Sequence, residues 1–225
     1  MLPLNDTEPN RYSAIPWMTF ALIIVNTFVF FGLWEYYSWE FISTYGFTPY
    51  QITHRLGGGV ISSITAVFLH GSVSHLVGNM WILWVFGRRV EDACGHWRYL
   101  IYYLFAGLMG DAITALIMWN DEIPGIGASG AIFGIMGAYL LLFPEGRIRT
   151  LIIFQFIPAW PRLRALWVAL YFLAIQIIPA IDMALHGTFY GVGYWAHLGG
   201  FMACIFITLF LRPEAFARYL SNVRV

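Results

Sequence analysis

The chain has 225 residues, of which 60% are hydrophobic and 11% charged, whereas soluble domains are about half apolar and a quarter charged. That balance points to a membrane protein. A formal net charge of zero argues against nucleic acid as a partner.

A helix needs ~20 apolar residues to cross the hydrocarbon core, and six runs serve as crossings. The first covers residues 17–37, after Pro16, which suits a helix's first turn. The second, 73–86, is shorter, and is followed by 97–119, 129–143, 163–181 and 192–211. Residues 60–69 follow Gly57, Gly58 and Gly59 and are too short to span, so they are expected as a loop lying in the interface.

All twelve cationic side chains are Arg. Arg11 precedes the first run; Arg88, Arg89 and Arg98 lie between the second and third; Arg147, Arg149, Arg162 and Arg164 lie between the fourth and fifth; Arg212, Arg218 and Arg224 follow the sixth. Only Arg55 falls on the other side. The positive-inside rule then makes both termini cytoplasmic, which requires an even number of crossings. The expected architecture is an all-α, six-transmembrane-helix bundle: a cytoplasmic segment 1–16, a membrane domain 17–211 and a cytoplasmic tail 212–225. Residues 1–16 carry Asp6, Glu8 and one Arg without a cleavage pattern, so neither a signal nor a transit peptide is expected. With the compact form, this favours a bacterial cytoplasmic membrane. Cys94 and Cys204 fall in different compartments of such a bundle, so no disulfide is expected.

Intramembrane polar side chains face one another or a wet cavity, because burying them unpaired costs several kcal/mol. The even-numbered spans all enter from the external face. His75 and Asn79 in the second, Ser129 opening the fourth and His197 in the sixth therefore share a layer within roughly 10 Å of that face. His75 and Asn79 are four apart, hence on one helix face. Gly193, His197 and Gly200 form a stripe on the sixth span, and Gly130, Gly134 and Gly137 one on the fourth. Such stripes let backbones approach closely, which would bring Ser129 within reach of His197.

Gly127-Ala128-Ser129-Gly130, His75-Leu-Val-Gly-Asn79 and Ala196-His197-Leu-Gly-Gly200 resemble the three signature segments of rhomboid intramembrane serine proteases. The resemblance covers approximately residues 41–211, including Phe68-Leu69-His70-Gly71 and Val90-Glu91-Asp92. It implies a Ser-His dyad without a carboxylate, Ser129 as nucleophile and His197 as general base, an acyl-enzyme intermediate, and no cofactor. It further implies an oxyanion site formed by Asn79, His75 and the Ser129 backbone N–H. Gly127 and Gly130 would support the site. Phe133 keeps the ring, without the hydroxyl, of a Tyr common in relatives, and is expected to stack on His197. Many relatives carry a Trp-Arg pair in the first external loop, where this chain has His54-Arg55. The implied substrates are transmembrane proteins cut near the extracytoplasmic surface of the lipid bilayer, with helix-weakening residues and a small side chain beside the cut. The oligomeric state stays open.

Taken singly, Gly-Ala-Ser-Gly is a packing patch, and a membrane His on a glycine stripe is a hydrogen-bond partner. Sharing a layer with His75 and Asn79 favours the dyad. His70 and His75 are five apart and no HExxH occurs, so no metal is expected. Asp111 in the third span is expected as a protonated or hydrogen-bonded structural residue rather than a third catalytic member. His54, His96 and His186 are expected in solvated loops, and Arg88, Arg89, Glu91 and Asp92 as a local salt-bridged cap. Activity should fall as His197 is protonated, near a pH of about 6.5 unless the site shifts it. The alternatives are a non-catalytic rhomboid-like protein that binds or escorts membrane clients, and a small transporter, which would show paired repeats or broken helices.

Overall fold

A computed structural model describes residues 1–8, 10, 15–54, 58–188 and 191–211. Arg11, Arg55, Gly57 and the tail 212–225 lie outside them. The described chain is mostly helical. Six helices follow the six apolar runs: α1 (Trp17–Gly32), α5 (Val73–Cys94), α6 (His96–Ile117), α7 (Ser129–Leu142), α8 (Ala165–His186) and α9 (Tyr194–Leu211). Three shorter ones, α2 (Trp39–Tyr45), α3 (Pro49–His54) and α4 (Gly58–Ala66), connect α1 to α5. Helices α6 and α8 are long and apolar enough to cross a membrane by length and composition, while α1, α7 and the stretch Tyr194–Thr208 are apolar but shorter. Phe28, Leu116 and Ile178, each at least 75% exposed, give the bundle a rim suited to lipid.

The elements end where local chemistry stops them. Ser72 caps α5, its Oγ accepting from the His75 N–H at 3.1 Å, and satisfies a donor the helix leaves open. Gly95, at φ +82°, separates α5 from α6, and Gly187, in the left-handed region, closes α8. Residues 60–66, expected as interfacial loop, are helical in α4. Val60, Ile61 and Ile64 are exposed there while Ser62 and Ser63 are buried, a polarity reversed from that of a water-soluble helix.

Helix α7 lies at the centre, against α5, α6, α8 and α9, with its side chains almost wholly buried. Its glycines make that possible. A Cβ on Gly134 would stand 2.9 Å from the Gly200 carbonyl oxygen and one on Gly137 2.6 Å from that of Phe201, and one on Gly200 would strike the Gly130 carbonyl oxygen. The glycine stripes of α7 and α9 thus touch backbone to backbone. Gly193 stands outside this contact, one residue before α9 begins.

The all-helical expectation misses a small antiparallel sheet, whose strand β2 follows α7 and whose strand β1 begins at the cleft that Ser129 lines. Strand β2 (Arg147–Phe154) pairs with β1 (Leu2–Asp6), β3 (Ile157–Ala159) and β4 (Arg162–Arg164). Arg147 and Arg149 are exposed and Ile148 and Thr150 buried, the period-two alternation of a half-buried strand. The helix over the second apolar run is also longer than expected. Helix α5 runs on to Cys94 because its charges find partners far away in sequence. Arg89 lies 3.2 Å from Asp6 of β1, whose carboxylate also accepts from the Tyr139 hydroxyl at 2.6 Å, and Arg89 stacks over Phe143. Glu91 accepts from the Met18 and Thr19 backbone N–H groups at 2.7 Å and the Thr19 hydroxyl at 2.6 Å, placing a carboxylate at the positive end of α1. The cap is therefore tertiary.

Three histidines expected in solvated loops are helical. His96 opens α6 with Nδ1 2.5 Å from Glu91, His186 ends α8 beside Asp182 at 2.8 Å, and His54 ends α3, stacked between Tyr50 and Trp119. Cys94 and Cys204 are buried and are not joined in a disulfide.

Candidate active site

Ser129 is the first residue of α7, so its backbone N–H is among those a helix leaves without an internal acceptor. The turn that delivers it needs glycine at 127. Gly127 has φ +137°, and a Cβ there would lie 2.8 Å from the His75 ring. The Gly127 N–H is tied to the Ala66 carbonyl at 2.9 Å, which fixes the turn against the end of α4.

His197 sits in the first turn of α9 and is buried. Its Nε2 lies 2.7 Å from Ser129 Oγ, and its Nδ1 2.9 Å from Gln176 Oε1 of α8. Gln176 is held in turn, its Nε2 donating to the Phe172 carbonyl at 2.9 Å. An amide oxygen can only accept, so Nδ1 carries the proton and Nε2 presents a lone pair to the Ser129 hydroxyl. Phe133, one turn into α7, stacks on the His197 ring with centroids 4.5 Å apart and planes 4° from parallel. Rotation of the imidazole is thereby opposed by a hydrogen bond at one edge and a ring on one face.

His75 and Asn79 lie one turn apart on α5. Asn79 is buried and its Nδ2 has no hydrogen-bond partner, a donor amide held open inside the protein. All six of these side chains, His75, Asn79, Ser129, Phe133, Gln176 and His197, line one cleft of about 1320 Å³ between α5 and α8.

Two further residues belong to this neighbourhood without having been singled out as site residues. Gln176 had no motif to mark it, but it is an amide in an otherwise apolar run. His70, in the turn before α5, is fully buried with both ring nitrogens unpartnered and stands edge-on to His75, centroids 5.1 Å apart. Burial, and then the neighbouring His75, push the His70 imidazole down to about 4.

Asp111 lies apart from the Ser129–His197 pair, on a second cavity that meets the cleft at Ser129 and His75. Its Oδ2 is buried without a partner. Chemically, the pair joins a hydroxyl to a base of fixed tautomer, with an unengaged amide donor and a free N-terminal helix amide close by, the parts an acyl transfer needs.

The model of the Rhomboid domain matches residues 57–214. Rhomboid protein 1, mitochondrial, of Saccharomyces cerevisiae is 32% identical over 195 residues, which are 82% of this chain and 50% of that protein. RHOMBOID-like protein 6, mitochondrial, of Arabidopsis thaliana is 32% identical over 68% of this chain and 44% of its own length. Rhomboid protease GluP of Bacillus subtilis is 42% identical over 84 residues, 37% of this chain and 16% of that protein. The chain thus spans about half the length, or less, of these curated relatives. Their names include mitochondrial proteins as well as a bacterial one, so the expectation of a bacterial cytoplasmic membrane finds no support in them. With its domain match extending over the helices that carry Ser129 and His197, the chain belongs to the rhomboid family of membrane proteins.

Proposed function

We propose that the protein is an intramembrane serine endopeptidase acting on membrane-anchored proteins. The observation that carries the reading is the 2.7 Å approach of His197 Nε2 to Ser129 Oγ, made by a base whose tautomer Gln176 fixes from behind.

In the reaction, Ser129 Oγ attacks the scissile carbonyl carbon while its proton passes to His197 Nε2. The oxyanion so formed meets the Ser129 N–H, Asn79 Nδ2 and the His75 ring. Collapse breaks the C–N bond, and His197 returns the proton to the leaving amine. The acyl ester on Ser129 is then attacked by water, whose proton His197 takes, and the carboxyl product leaves with the hydroxyl restored. Phe133 keeps the imidazole in plane, and Gly127 and Gly130 keep the turn and the α7–α9 contact narrow.

Six crossings, by α1 and α5 to α9, with both termini cytoplasmic, complete the proposal; residues 17–211 form the membrane domain. Helix α7, with 14 residues, is ~21 Å long against a hydrocarbon core of ~30 Å. Ser129 therefore opens below the external surface, and the cleft supplies its water. A substrate helix must unwind to offer a carbonyl there, because its own hydrogen bonds hide the scissile group.

A fluorophosphonate probe should label the wild type and fail to label Ser129→Ala. Equal labelling of the two would remove the peptidase reading and leave a client-binding protein.

A further inference from the structure

Between α7 and α8 the chain folds back on itself through β2, β3 and β4, a ribbon that the Ser129 site does not use. Arg147 stands directly across from Arg164, and Arg149 across from Arg162. Residues two apart share a strand face, so the four guanidiniums gather on one side of the ribbon, and all four residues are exposed. Like charges directly opposite destabilise a strand pair. Among the described residues the one carboxylate in ion-pair reach of them is Glu145, 3.5 Å from Arg164, so most of the counter-charge must come from outside the described chain.

Outward from the arginines the ribbon changes character. No side chain from 150 to 161 is charged. Trp160 comes first and then Ile153, Phe154 and Ile157, all exposed. Ile153 and Phe154 project to opposite faces, so the described chain covers neither face. The two-residue loop Gln155-Phe156 takes φ +47° and +69°, left-handed values that hairpin turns ordinarily give to Asn and Gly. A Phe held there is strained, and this one is 98% exposed. Water compensates neither the strain nor the exposure.

The pairing with β1 fixes the direction of the ribbon. Asp6, beside Arg89, pairs with Ile148, and Pro3 pairs with Thr150. The Pro3 carbonyl accepts from the Trp81 indole N–H at 2.6 Å. From Arg89 back to Trp81 is ~12 Å along α5, toward the end that carries His75. Strand β2 therefore climbs beside α5 into the depth of the bundle, and Phe154 lies ~13 Å beyond Thr150, close to half of a ~30 Å hydrocarbon core.

We infer that this ribbon is an anchor in the bilayer leaflet at the Arg147 end of the bundle, its tip among acyl chains and its four arginines on the phosphates of anionic phospholipids. Guanidinium matches phosphate by paired hydrogen bonds, and an anion laid over the quartet relieves the repulsion between Arg149 and Arg162. Trp160 falls between charge and tip, at the headgroup boundary that Trp favours. A soluble partner would have to reach a tip that the strand pairing directs away from water.

The test uses the full chain with Phe156→Cys carrying a bimane label, in liposomes of phosphatidylcholine and phosphatidylglycerol; Cys94 and Cys204 are buried. Doxyl groups on lipid chains should quench the label and iodide should not, whereas a label at Glu145→Cys should be open to iodide. Quenching at 156 by iodide as strong as at 145 overturns the inference, and so does a label shielded from both quenchers, which would place a second copy or another protein over the tip. Doxyl chains carried on one headgroup or the other then give the preference for phosphatidylglycerol, expected at roughly fivefold or more. Arg149→Gln/Arg162→Gln should remove most of that preference and Arg149→Lys/Arg162→Lys should retain most of it. A preference unchanged by the Gln pair overturns the role of the arginines.

Discussion

Replacing Gln176 with Leu removes the acceptor for His197 Nδ1 while keeping an apolar side chain of similar length in α8. The bond lost is 2.9 Å long and buried. A buried donor left without an acceptor costs about 1–3 kcal/mol, and the imidazole can avoid that cost by moving its proton to Nε2, where it faces the Ser129 hydroxyl and can no longer accept from it. Either route raises the barrier, and 1–3 kcal/mol corresponds to roughly 5- to 150-fold in rate. Gln176→Leu should therefore lower kcat by about 10- to 100-fold with little change in KM, and slow fluorophosphonate labelling of Ser129 in parallel. Gln176→Glu, which keeps an acceptor in place, should recover most of the loss. Thermal unfolding of both variants should stay within a few degrees of the wild type. A Gln176→Leu enzyme within twofold of wild-type kcat would refute the claim that this amide sets the tautomer. So would a Glu variant as slow as the Leu variant.

Asn79→Ala, which deletes an unengaged buried amide donor, should lower kcat by ~100-fold or more while substrate binding, followed with the Ser129→Ala protein, is preserved; equal kcat would remove Asn79 from the oxyanion site. Asp6→Ala leaves the Arg89 guanidinium buried without that carboxylate, a loss of order 3–5 kcal/mol, and should appear as a large fall in melting temperature; an unchanged melting temperature would show that β1 contributes nothing to the bundle. His70 supplies a pH test of stability. Its folded value of about 4 lies below the ordinary 6.5, so the unfolded chain binds the extra proton first as pH falls. Stability should be unaffected above about pH 6.5, decline through the interval to about pH 4, and level off below it. The full loss is about 3 kcal/mol. His70→Phe should flatten that part of the pH dependence, measured by denaturant unfolding at a series of pH values.

The placing of helices is legible in the sequence because apolar runs in a membrane protein have one economical conformation. The meeting of Ser129 with His197 is legible too, through Gly130, Gly134, Gly137 and Gly200: small residues at helical spacing announce where two backbones can touch. Interactions between distant segments are not legible in this way. Asp6 looks like a charge on a short leader, and only the folded chain brings it to Arg89 and Tyr139. Glu91 has two arginines as sequence neighbours, yet turns to the start of α1 and to His96. The strand β2 carries a readable alternation, Arg-Ile-Arg-Thr, but its partner β1 lies far away in sequence, Asp6 pairing with Ile148, and holds Pro3, which weakens a strand signal. Gln176 has no sequence marker beyond its polarity in an apolar helix. Its meaning comes from α8 lying beside the first turn of α9.

The central claim is that the Ser129 hydroxyl is a nucleophile activated by His197 beside an oxyanion site. The most direct measurement is a crystal structure of the protein after reaction with a fluorophosphonate. The account predicts a phosphorus–oxygen bond to Ser129 Oγ, with a phosphoryl oxygen within hydrogen-bond reach of Asn79 Nδ2 and the Ser129 N–H. Phosphonylation at any other residue, or a phosphoryl oxygen turned away from Asn79 into the cleft, would contradict it.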